Sequence, residues 1–247
     1  MTPLVRLALA AALALSAIPG LAKAADSDPA IAEFRLGMPL ERARGLLKAM
    51  AGASEIHEVR NKKAEGTGEF VRTLYAEAPQ GKPDEKVAVV FSEFGGRILM
   101  VMRTEKFADG ALPGLAVIRS AVETAYGAKL EPQDGAFVAI RVRDKAGAVT
   151  DSEECTRATV TTVPSRSMLI GIPVWQVFPE TCGVAVGVVV RTEDGSLASA
   201  MEQRMVDTQA LRKDLDEHSR LTKEGADQRA KAEADRAAQA AGTAPRL

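Results

Sequence analysis

Four side chains in this 247-residue chain could hold a soft metal or exchange electrons: Cys155, Cys182, His57 and His218, the only cysteines and histidines present. A structural zinc site needs four ligands gathered at one point. His57 lies a domain's length before Cys155, and His218 sits in a highly charged helical segment. A redox-active pair is usually written C-x-x-C, and Cys155 and Cys182 are 27 residues apart. The reading left is a structural disulfide, which requires an oxidising compartment.

Other chemistry is sparse. The sequence has no G-x-S-x-G elbow, H-E-x-x-H helix, P-loop or dinucleotide fingerprint following a strand. His57 stands between Glu55 and Glu58 in a polar stretch and reads as a surface histidine. The acidic run Asp151–Glu154 lacks the spaced oxygen ligands and the glycine of a calcium loop. Arg35, Arg42 and Arg44 are balanced by Glu33 and Glu41. Neither a catalytic centre nor a cofactor is expected. The best candidate for recognition lies inside the cysteine loop, in "IGIPVWQVFPETC". Val174, Trp175 and Phe178 are its candidate partner contacts, since Trp is enriched at binding hot spots and flanking prolines lower the ordering cost. The alternative makes Trp175 and Phe178 a plug for the core beneath the loop, and the scarcity of other aromatics favours that plug.

The amino terminus predicts the compartment. Arg6, the apolar run Leu7 to Ala17, the Pro19-Gly20 break and Ala22-Lys23-Ala24 form a cleavable signal peptide, with cleavage expected after Ala24. The apolar run is shorter than the roughly 20 residues that span a bilayer. No cysteine near the cleavage point offers a lipid anchor. A periplasmic location follows. Removing Arg6 and Lys23 leaves 30 basic against 33 acidic residues, a net of −3, without the basic excess of a nucleic-acid binder.

The elements that must position any site follow from periodicity. Pro39 opens a helix with Leu40, Ala43, Leu47 and Met50 on one face, stopped by Gly52. Strand patterns follow in "IHEVRNKK", "EFVRTLYAE", "KVAVVFSE" and "RILMVMRT", the last two joined by a turn at Gly95-Gly96. A second helix repeats the first at an interval of 75 residues, through Leu115, Ile118, Val122 and Ala125, and ends at Gly127. "AFVAIRVRD" and "RATVTTV" read as strands, and a second hairpin turns at Asp194-Gly195. The fold class is therefore α+β, as two tandem helix-plus-antiparallel-sheet units (25–109 and 110–206) that either share one sheet or pack side by side. The cysteine segment enlarges the second unit. From Asp207 the chain carries eight acidic and eight basic residues, with Asp216–Arg220, Lys223–Asp227 and Asp227–Lys231 at helical spacing. Leu211, Leu215 and Leu221 could dock this tail; beyond Gly225 it lacks an apolar face and is expected to fray or stay disordered.

At "LGMPLERARGLL" the chain resembles the helix-plus-sheet envelope proteins related to β-lactamase inhibitor protein and to the small lipoprotein of the outer-membrane β-barrel assembly machinery. Those have a Gly-Met leading into the first helix, here Gly37-Met38, although Pro39 stands in place of their usual Ser. The resemblance implies the architecture and a partner-binding habit. The expected function is a periplasmic, non-catalytic binding module contacting another envelope protein. The alternatives are a small-ligand or peptide carrier using the helix–sheet crevice, and an acid-based hydrolase.

Overall fold

The computed structural model describes residues 29–51, 55–77, 84–133, 135–156 and 179–242. The signal-peptide segment, "RATVTTV" and the candidate contacts Val174, Trp175 and Phe178 lie outside them. In the first half, helix α1 (Leu40–Ala51) precedes strands β1 (Ile56–Lys62), β2 (Glu69–Glu77), β3 (Asp84–Phe91) and β4 (Ile98–Lys106). In the second, helix α2 (Leu115–Tyr126) precedes β5 (Glu131–Gln133), β6 (Ala136–Asp144), β7 (Val149–Thr150), β8 (Cys182–Thr192) and β9 (Ala198–Asp207). Helix α3 (Thr208–Gly242) closes the chain.

All strands join one antiparallel sheet in the order β1-β2-β3-β4-β9-β8-β6-β5, with β7 beside β6. Each half contributes a meander, and the halves meet where the last strand of one pairs with the last strand of the other, from Met100↔Val206 to Lys106↔Ala200. Of the two arrangements open to tandem units, the chain takes the shared sheet.

Both halves lead into their helix by the same device. Gly37, in the left-handed region at φ +76°, donates its N–H to Ile98 O at 2.8 Å, and Leu40 donates to Gly96 O at 3.0 Å. In the second half Ala198 donates to Pro113 O at 2.9 Å and Leu115 to Ser196 O at 2.7 Å. The residues before each helix thus pair with the hairpin that follows it in sequence, at Pro39↔Arg97 and Gly114↔Leu197. This satisfies amide groups that a helix start leaves without partners. Gly127 ends α2 at φ +61° and donates to Glu123 O.

Strand alternation sends side chains to two cores. On one face Ala43 and Leu47 of α1 and Ile118 and Val122 of α2 pack on Leu74, Val89, Val101, Val188 and Met205. On the other, Leu211 of α3 packs with Leu99, Met100, Ala185, Val206 and both cysteines. Met50, expected on the packed face of α1, is 36% exposed; it stands in the last turn and borders a cleft between the helix and the sheet.

Of the two forms expected for the charged tail, helix or disordered segment, it takes the helix. Helix α3 runs 35 residues to Gly242, although its exposed distal part has no apolar face. Its first turns are held by packing of Leu211 and Leu215. The rest is rich in Ala, Glu, Gln, Lys and Arg, all strong helix formers. Arg220 bridges Glu217 and Glu224, each at 2.6 Å, in place of the Asp216 pairing that spacing suggested. Among the described residues no helix is long and apolar enough to cross a membrane.

Cys155 and Cys182 form a disulfide with Cα atoms 5.7 Å apart, both buried in the α3-side core. Loop-closure entropy at this spacing of 27 residues contributes roughly 3 to 4 kcal/mol. Urea denaturation of the Cys155→Ser/Cys182→Ser double variant is expected to show a loss of that size. An unchanged midpoint would remove the disulfide from the account of stability.

Candidate functional site

On the helix-covered face, strands β3 and β4 place charge where the core pattern calls for apolar residues. Glu85 on β3 lies directly opposite Glu105 on β4, and Val87 lies opposite Arg103. Arg103 and Glu105 are in phase with Val101, so they point toward the helices. Like charges directly opposite in a sheet repel. Arg103 resolves the conflict. Its Nε donates to Glu85 Oε1 at 2.6 Å, and its Nη2 lies 3.1 Å from Glu105 Oε2. Nη1 reaches Gln203 Oε1 on β9 at 3.4 Å. Gln203 Nε2 donates to the Tyr126 hydroxyl at 3.1 Å, and that hydroxyl donates to Ala30 O at 3.5 Å. The chain of contacts runs from β3 through β4 and β9 to α2, with Arg103 only 5% exposed.

Burial sets the titration of this row. It pushes the Glu105 carboxyl above its ordinary value; the Glu85 charge adds to the rise and Arg103 opposes it. Burial likewise pushes Tyr126 up to about 12, with Arg103 opposing. A phenol whose folded pKa exceeds its ordinary value of 10 contributes stability that is complete below pH 10 and lost as pH rises to about 12. Two pH units correspond to roughly 2–3 kcal/mol. Denaturant titrations at pH 9 and pH 11.5 should therefore show a decline that Tyr126→Phe removes; an equal decline in the variant would assign it to other groups.

Beside Arg103 and Glu85 opens a cleft of about 310 Å³, walled by Leu46, Ala49 and Met50 of α1 and by Ala32 and Glu33. The last two occupy the left-handed region, at φ 48° and 71°. Residues without glycine's freedom hold that conformation at a cost of about 1–3 kcal/mol each. The turn persists because Ile31 and Phe34, both fully buried, exchange backbone hydrogen bonds across it at 3.1 and 2.9 Å. Glu33 is thereby fixed at the rim.

A second polar cluster faces α3. Asp214, 5% exposed, accepts from Arg72 Nη1 at 2.9 Å and from Glu93 N at 2.9 Å, and also from the Ser92 hydroxyl. Arg72 donates to Phe91 O as well. Glu93 accepts from Ala64 N at 2.7 Å and holds His218 Nδ1 at 2.6 Å. These groups bind one another and fasten the helix to the β3–β4 turn.

The residues read as candidates from sequence fall elsewhere. Cys155 and Cys182 are joined and buried on the opposite face from the cleft. His57, taken as a surface histidine, stacks on Tyr75 of the neighbouring strand with ring centroids 4.8 Å apart. Arg44 pairs with Glu58, which holds the Glu58 carboxyl below its ordinary value. Among the described residues no group of three or more His, Cys, Asp or Glu could hold a metal ion. Periodicity alone missed Glu85, Arg103, Glu105 and Gln203. The signal was present: in "ILMVMRTEK" and "ASAMEQRMVD", charged or amide residues continue the alternation begun by buried Val101, Met201 and Met205.

The fold thus defines an α+β protein with a helix–sheet cleft over a buried ionic row. Comparison with protein-family models, with curated proteins and with solved structures returns no match for this chain.

Proposed function

We propose that the protein is an exported, non-catalytic binding module that receives a side-chain-sized group in the α1–sheet cleft, presented by a partner in the cell envelope. The cleft itself carries this reading: about 310 Å³ with an apolar wall and a polar floor of Glu85 held by buried Arg103. Its volume is at the low end of ligand pockets, which are mostly apolar with a few placed polar groups. The disulfide supports an oxidising location, as does the signal-like amino terminus. The partner-binding habit implied by the Gly37-Met38 resemblance points the same way.

The test follows the Met50 methyl by ¹³C NMR while mixtures of side-chain-sized compounds are added. Binding is expected to shift that methyl, and Ala49→Trp, which fills the cleft from an exposed helix position, should abolish the shift with the fold retained. Shifts that survive in Ala49→Trp would sink the reading.

One observation favours a second reading. The raised Glu105 carboxyl beside Glu85 is the kind of pair that hydrolases use for proton transfer. Against it, Arg103 stands between the two and ties both. Turnover of a chromogenic ester or glycoside that Glu105→Gln eliminates would establish the hydrolase instead.

A further inference from the structure

Resting on the binding reading of the cleft, we infer that its occupant is a cation on a short apolar stem: an alkylammonium or guanidinium group, the chemistry of a lysyl or arginyl side chain or of a free organic amine. The charge count gives the sign. Of the residues that line the cleft, Glu33 and Glu85 are acidic and Arg103 alone is basic, and Arg103 is shared with a further carboxylate behind it, Glu105.

Arg103 has little left to offer an anion. Its Nε is engaged with Glu85, Nη1 with Gln203, and Nη2 lies against Glu105. The acceptors, by contrast, are under-used. A carboxylate has about four lone-pair sites, and among the described residues the Glu85 carboxylate gives one of them, at Oε1, to Arg103 Nε. The Glu85 side chain keeps 30% of its surface open, so a donor entering the cleft reaches it without displacing Arg103.

An anion brought into this site would be desolvated beside the two lining carboxylates, a like-charge juxtaposition that opposes binding. A cation would lose its hydration to a site that replaces it with ionised acceptors. The apolar wall fixes the rest. Leu46, Ala49, Met50 and Ala32 offer a surface for methylenes between rim and floor, as long basic side chains lay their stems on apolar surface and keep the charged head in a polar place. The strained Ala32–Glu33 turn sets one carboxylate at the mouth, where it would guide the charge inward.

The experiment titrates four probes against the Met50 methyl in the full chain: hexylammonium, 1-hexanol, hexanoate and the capped tripeptide acetyl-Gly-Lys-Gly-amide. Hexylammonium is expected to bind at least tenfold more tightly than hexanoate, with hexanol between. Glu85→Gln and Glu33→Gln are each expected to weaken hexylammonium about three- to tenfold and leave hexanol unchanged. Glu33 is exposed and outside the ionic row, so its variant reports even where Glu85→Gln disturbs the fold. A lysyl peptide that matches or exceeds hexylammonium supports a protein segment as the source. A weaker peptide supports a free amine, and either supports the cationic class.

Two failures are distinct. Hexanol and hexanoate binding as well as hexylammonium would overturn the charge inference and leave the cleft as a binding site. No probe moving the methyl would overturn both.

Discussion

Asp214→Ala is expected to lower stability by about 4 kcal/mol and to free the first turns of α3 from the sheet. The Asp214 carboxylate is nearly inaccessible, with its side chain 4% exposed against 13% for that of Arg72. Removing it leaves the Arg72 guanidinium with Phe91 O, and leaves the Ser92 hydroxyl and the Glu93 amide without their acceptor. Breaking one side of a buried ion pair typically costs about 3–5 kcal/mol, because the remaining charge stays desolvated. The loss concentrates at one place. Asp214 lies one turn from Leu211, the α3 residue most firmly packed in the second core, and one turn from His218, which Glu93 holds. Hydrogen exchange of residues 208–221, read beside urea denaturation, checks the outcome. Exchange in α3 should accelerate more than in β8 and β9. Uniform acceleration would make α3 part of the single cooperative unit instead. Asp214→Asn, which keeps an acceptor for Ser92 and Glu93, should recover part of the loss.

The second large effect is at Arg103. Arg103→Met keeps the length and apolar stem of the side chain and is expected to cost about 3–4 kcal/mol at neutral pH, since it leaves Glu85 and Glu105 opposed in register with no cation between them. The pH dependence identifies the cause. Glu105 already titrates above its ordinary value, and the loss of Arg103 raises it further. A carboxyl with a raised folded pKa is most favourable when protonated. The variant should therefore regain stability as pH falls from neutral toward the ordinary carboxylate range, and lose it again as pH rises through the raised value. Adding Glu85→Gln to Arg103→Met should restore much of the loss at pH 7. Strict additivity of the two substitutions would show that the groups are not coupled. Denaturant midpoints between pH 4.5 and pH 8 decide between these outcomes.

How much of this could be read in the sequence depends on the range of the interaction. The helices over Leu40–Ala51 and Leu115–Tyr126 and the two glycine hairpins rest on local periodicity and turn residues, and they were legible. So was the recurrence at 75 residues, because Ala43 and Leu47 of the first helix and Ile118 and Val122 of the second are buried at that interval. The union of β4 with β9 was not legible, since no local pattern states which strand edges meet. The charged C-terminal helix was legible as one of two forms, but its extent beyond Gly225 was not, because an apolar face was required of it. Intrinsic propensity and the Arg220 pairs carry its exposed part, and the Asp214 cluster fastens its beginning. A helix–sheet crevice was anticipated, but its charged floor escaped for a related reason. Arg103, Glu105 and Gln203 read as the polar phase of their strands until the register, including the irregularity between Val90 and Phe91, places Glu85 across from Glu105 and the helices above both.

The seam between β4 and β9 joins residues 94 to 106 positions apart in the chain. During synthesis the first half can complete its own meander, yet the outer hydrogen-bonding groups of Met100–Lys106 stay bare until Ala198–Asp207 emerge. A bare strand border is a template for any other polypeptide in extended form, and contacts this distant in sequence form slowly. A product truncated before residue 198 would present that border permanently. Because β4 accepts its neighbour antiparallel, two such fragments could join β4 to β4 about a twofold axis, reproducing between molecules the junction that the intact protein makes within one.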